Sequence, residues 1–241
     1  MEKKGVGNIE MILSFILFIG FVFAALGFFL PKDTSKIVDS SLNYALNSIS
    51  NNASVEIISY SIKFNKDSLI PSGTQTIAIE FPPEVINIPA SYNVHVETYT
   101  GTTLNSVRDG SIVYVDWQEN PFIALKFSED YTPSTDVTSR PSLNRSYYSI
   151  ASSGTTRVLS EKRILALNQS YYANYELLKN NLRLPANINF AFNFGEDKGK
   201  AIVAQRAVPS GFQVYASVSN RETTLDSTNH ISYGDLSVQV W

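Results

Sequence analysis

Ile112-Val113-Tyr114-Val115-Asp116-Trp117 and Phe122-Ile123-Ala124-Leu125-Lys126-Phe127 place an apolar side chain at every second position. That alternation, Val113-Val115-Trp117 and Ile123-Leu125-Phe127, is the period of a strand with one buried face, because successive side chains leave a strand on opposite sides. Just upstream, Asp109-Gly110 is a two-residue hairpin signal, and Gly73 supplies another turn. The same period holds in Val94-Val96, in Ile77-Ile79-Phe81 and around Ile57. Residues 54–130 therefore predict an antiparallel β-sandwich.

Downstream, the segment from Ser128 to Ser142 carries Pro133, Pro141 and many Ser and Thr without apolar periodicity, which reads as a link between domains. Residues 143–241 predict a second, α+β domain: short strands near 147–150 and 157–167, then a helix from about Ser170 to Leu182 ended by Pro185. Ile188-Phe190-Phe192-Phe194 then begins a meander that continues through 200–207, 212–219 and 236–241. One helix laid on an antiparallel sheet buries this apolar face. The Tyr171-Tyr172-Tyr175 group reads first as packing between helix and sheet, with a carbohydrate platform as the alternative.

Upstream of the strands the period is 3.6. Val38, Leu42, Ala45, Leu46 and Ile49 recur at helical spacing, so residues 32–53 predict an amphipathic stalk helix, capped near Asp33, Thr34 or Ser35 after a break at Pro31. Before it, Met11 to Leu30 is uncharged and long enough, at about 1.5 Å per residue, to span roughly 30 Å of hydrocarbon. Within this run Glu10, Ser14, Leu17, Gly20, Ala24 and Gly27 fall in a roughly 140° arc, with larger apolar residues covering most of the rest. Small residues on one face permit close helix approach, and a carboxylate among them needs a partner.

Lys3-Lys4-Gly5 precedes the run, with Glu10 five residues beyond the glycine. This arrangement resembles the class III signal peptide of archaeal type IV pilin-like proteins, over about the first thirty residues. The usual pattern after the cut is Gln first, Ser third and Glu fifth, and this chain has Val6, Asn8 and Glu10. The resemblance implies a leader of residues 1–5 removed by a prepilin peptidase between Gly5 and Val6, and a transmembrane helix over 6–31. It also implies assembly with copies of itself or other pilin-like subunits, in which Glu10 pairs with the amine freed at Val6 of a neighbour. Ser14, Gly20, Ala24 and Gly27 complete the assembly face. The expected placement is the cell membrane, single-pass, with an extracellular ectodomain.

The overall fold class expected is thus α+β: an N-terminal transmembrane and stalk helix, an antiparallel β-sandwich, and a second antiparallel sheet with one packed helix. A net charge of −3 gives no nucleic-acid footprint. Without Cys there is no disulfide framework, thiolate metal site or cysteine nucleophile. His95 and His230 lie far apart in sequence and outside any metal or triad motif, so no catalytic, cofactor or metal site is expected. Asn52, Asn144 and Asn168 open acceptor sequences for glycosylation. The function expected is a structural or adhesive subunit. A monomeric surface protein with a ligand-binding ectodomain is the alternative, and an ectodomain enzyme using carboxylates is the third.

Overall fold

The computed structural model describes residues 6–29, 34–65, 70–81, 87–133, 136–196, 199 and 201–241, without the side chains of 6–10, 26–29, 34–38 and 220. The expected leader, residues 1–5, and the expected break at Pro31 lie outside the described residues. Contacts divide the chain into two units, Met1–Ser41 and Leu42–Trp241.

In the first unit, α1 is a single helix over Val6–Phe29, and α2 (Thr34–Ala53) begins. Among the described residues no helix is long and apolar enough to cross a membrane. The expected transmembrane helix is corrected accordingly, and with it the single-pass cell-membrane placement and extracellular ectodomain.

The second unit is mostly β. Its strands are β1 (Ser54–Phe64), β2 (Thr76–Glu80), β3 (Asn93–Thr98), β4 (Thr103–Leu104), β5 (Ser106–Asp109), β6 (Ile112–Asp116), β7 (Phe122–Ser128), β8 (Tyr148–Ser160), β9 (Phe190–Glu196), β10 (Ala201–Ala204), β11 (Tyr215–Leu225) and β12 (Ile231–Val240). Two helices, α3 (Glu161–Ala173) and α4 (Tyr175–Asn181), lie between β8 and β9. The alternation at Ile123-Leu125-Phe127 falls on β7, with those three residues buried, and the turn at Gly110 takes φ 59°, where glycine meets no Cβ penalty.

The sheet order departs from the expectation. Nine strands form one sheet, β10-β9-β12-β11-β8-β1-β7-β3-β4, and three form a small one, β2-β6-β5. β1 is the joint: it pairs antiparallel with β7 on one flank and with β8 on the other. The large sheet is mixed, because β11 meets β8 in parallel at Thr224↔Leu159 and Leu225↔Ser160. The expected pair of separate antiparallel sheets in an α+β fold is therefore corrected to a mostly β fold with one large mixed sheet.

Each half of that sheet has its own cover. The small sheet packs on β1, β7, β3 and β4 through Ile77, Ile79, Val113 and Val115 against Ile62, Val96, Leu125 and Phe127. Leu42, Ala45, Ile49 and Ala53 of α2, with Ile164, Tyr171, Tyr175 and Leu178 of α3 and α4, cover Phe190, Phe192, Phe194, Leu236 and Val238. The expected helix from Ser170 to Leu182 is thus two helices, and the strand expected over 157–167 ends at Ser160. There the Ser160 hydroxyl accepts the Arg163 amide and starts α3, while Asn174 ends α3 and caps α4 through its side chain.

Candidate functional site

The apolar run of α1 leaves its large side chains open. Met11 is 70% exposed, Phe18 64% and Phe21 73%, and Ile12, Leu13, Phe15, Ile16, Leu17 and Phe23 are exposed with them. Ser14, Gly20 and Ala24 are exposed on the same helix, and a Cβ built on Gly20 meets nothing within 4 Å. Val6, Glu10 and Gly27 belong to α1 by backbone, but their side chains lie outside the described residues, as does Gly5 entirely. What this helix offers chemically is apolar surface: each such side chain contributes on the order of 1.5–3 kcal/mol when fully removed from water.

On the large sheet, the face of β3 opposite Val94 and Val96 carries His95 and Glu97, and Lys126 of β7 lies beside them. Lys126 forms an ion pair with Glu97, while His95 Nε2 stands 3.8 Å from Glu97, longer than an ordinary hydrogen bond, and has no hydrogen-bond partner among the described residues. The His95 imidazole and the Lys126 ammonium outweigh burial and hold the Glu97 carboxyl down at about 2. Tyr131 stacks on His95 with centroids 5.3 Å apart. Burial, with the Glu97 charge beside it, pushes the Tyr131 hydroxyl far above the ordinary phenol range. None of His95, Glu97, Lys126 or Tyr131 lines the cavity beside Arg108 or the one at the start of α3.

A cavity of about 440 Å³ opens at the end of the sandwich, lined by Phe81, Ile88, Tyr92, Arg108, Val113 and Phe127 among others. The Arg108 guanidinium donates to the carbonyls of Ile88, Pro89, Tyr92 and Gly110 at 2.8–3.0 Å and stands 5.6 Å over the Phe127 ring. Its hydrogen bonds fasten the 88–92 segment to the small sheet. A second cavity, of about 390 Å³, lies at the start of α3, bordered by Asp130, Lys162, Leu165, Leu225 and Asp226. Arg163 closes the network there, with Asp130 at 2.8 Å, the Ser54 carbonyl at 2.7 Å and a contact to Glu129.

Asp116 is another anchor. Burial works against its ionisation, but hydrogen bonds from Thr76 and Thr138 hold its carboxyl below the ordinary aspartate range and fasten residue 138 to the small sheet. His230, in the β11–β12 turn, donates its backbone amide to Asp226 at 2.9 Å. Among the described residues no group of three His, Asp or Glu is placed to hold a metal.

Asn52 and Asn144 are exposed, with Asn52 Nδ2 bonded to the Ser48 carbonyl at 2.8 Å and Asn144 Oδ1 accepting from Ser146. Asn168 is half-buried, and its Nδ2 donates to the Val203 carbonyl at 2.8 Å. Tyr171 and Tyr175 are buried against Phe190, so packing accounts for two of the three clustered tyrosines, while Tyr172 is exposed. The Glu97 and Arg163 networks had no local sequence signal, since their members come from strands and loops far apart in the chain. No protein family, curated protein or solved structure matches this chain.

Proposed function

We propose that this chain is a pilin-like structural or adhesive subunit that assembles with copies of itself or with similar subunits through its N-terminal apolar helix. The observation that carries this reading is α1: a 24-residue helix whose described large side chains are almost all exposed, on a chain whose remaining residues have their own cores. Apolar area left in water drives association, and a bundle of such helices removes it. Ser14, Gly20 and Ala24 are the positions at which neighbouring backbones approach most closely, since they have the least side chain to keep them apart.

The test is the size of the full chain, purified in detergent micelles and diluted from them, followed by sedimentation velocity and negative-stain microscopy. Wild type forms multimers or filaments, and Gly20→Leu reduces them while the circular dichroism of the head is unchanged. A monodisperse monomer at every detergent concentration, for wild type and variant alike, overturns the reading. The cavity of about 440 Å³ beside Arg108 supports a second role within the same reading, a head that holds a small ligand.

A further inference from the structure

We propose that the open edge of β8 between Ser152 and Arg157 is an interaction surface for the same strand of a second copy of this chain, paired antiparallel about a two-fold axis. β8 is laddered to β1 along its length, but its other flank meets β11 only at Leu159 and Ser160. Before that junction, no strand among the described residues pairs with this flank. Residues 149–157 are all exposed, on both faces of the strand, so no layer covers them. Backbone N–H and C=O groups on such a flank are a template for another strand.

The contrast with the outer edge of the same sheet is informative. At β10 the Val203 carbonyl accepts from Asn168 Nδ2 at 2.8 Å and from the Tyr172 hydroxyl at 3.2 Å, and the Gln205 amide donates to that hydroxyl at 3.2 Å. Side chains of α3 thus occupy the groups that an added strand needs. Among the described residues no side chain is bonded to the open flank of β8 between Ser152 and Thr156 in this way. β8 also lacks the usual defences of an exposed edge: no Pro and no Lys occurs from Ser149 to Arg157, and no charge before Arg157. Its one irregularity, at Ala151 opposite the Ser61/Ile62 step, lies outside the 152–157 run.

Charge and symmetry select a second copy as the occupant. Antiparallel self-pairing about Gly154 sets Ser153 against Thr155 and Ser152 against Thr156, a favourable cross-strand combination, and places each Arg157 at the opposite end of the paired run from its mate. An antiparallel pair of identical strands is also isologous, so the contact closes as a dimer. It is a contact between heads and does not depend on α1.

Because the chain has no Cys, a disulfide formed by a single introduced cysteine reports contact between copies. Ser152→Cys, Ser153→Cys, Gly154→Cys, Thr155→Cys and Thr156→Cys are each made in the full chain, in wild-type and Gly20→Leu backgrounds, and oxidised in detergent micelles. Crosslinking peaks at one position and falls about ten-fold within two residues on either side, marking the axis. The peak persists with Gly20→Leu, so loss of helix association and loss of the edge contact read separately. In chains whose peak cysteine lies at a position other than 153, Ser153→Lys or Ser153→Glu lowers the yield and mixing the two variants restores it; where the peak is at 153, Thr155→Lys and Thr155→Glu serve in the same way. Absent or uniform crosslinking, or a peak that disappears with Gly20→Leu, overturns the proposal.

Discussion

Gly234 faces the ring of Phe194 on the neighbouring strand: a Cβ added there lies 2.6 Å from Phe194 Cζ and 2.9 Å from the Gly195 carbonyl. Phe194 is fully buried, so the ring has little room to yield. Gly234→Ala is expected to cost about 1–3 kcal/mol in chemical denaturation. Gly195→Ala, which meets nothing within 4 Å, is the control and stays within about 0.5 kcal/mol of wild type. Glu97 gives a pH signature. Its folded value of about 2 lies below the ordinary 4.5, so its ionisation favours the fold above that ordinary value, and the contribution is lost as pH falls toward about 2. Denaturation at pH 7, 4.5 and 2 should show Glu97→Gln less stable than wild type at pH 7, with the gap closing at pH 2. Neither site was legible in the sequence: a glycine in a strand gives no sign of which ring it faces, and Glu97 meets Lys126 only through the β3–β7 register.

Among the elements, the sandwich strands were the readable part. In β7, buried Ile123, Leu125 and Phe127 alternate with the half-buried Ala124 and Lys126, and period 2 records that directly. β8 was not readable as one strand because both of its faces are exposed from 149 to 157, which leaves no alternation to detect. The start of α3 is hidden for a different reason: Arg157 to Leu167 carries enough apolar residues for a strand, and the deciding feature is the cap at Ser160. Ser160→Ala is expected to destabilise the fold by about 1 kcal/mol, measured by urea denaturation, by leaving the Arg163 amide without its acceptor. The candidate assembly face of α1 was legible as a pattern of small residues, whereas its exposure required the structure.

At the scale of the whole molecule, the proposed assembly links the two ends of α1. In host cells that contain a prepilin peptidase, the mature chain is expected to begin at Val6, and Gly5→Leu to leave Met1 in place, both read by intact-mass spectrometry. On the proposed assembly, in which Glu10 pairs with the amine of a neighbouring Val6, Glu10→Ala is expected to weaken assembly several-fold in sedimentation while head folding is unchanged. The path from helix to head is also direct. α2 ends at Ala53 and β1 begins at Ser54, with no intervening loop. Tension on α2 therefore enters the head at an interior strand, held by eleven residue pairs to β8 and six to β7, rather than at a peripheral strand that peels away bond by bond. The join is a mechanical coupling: once the packing of α2 against the core yields, force along the chain loads the β1–β8 ladder from Ser54 and, from Ile58 onward, the β1–β7 ladder with it.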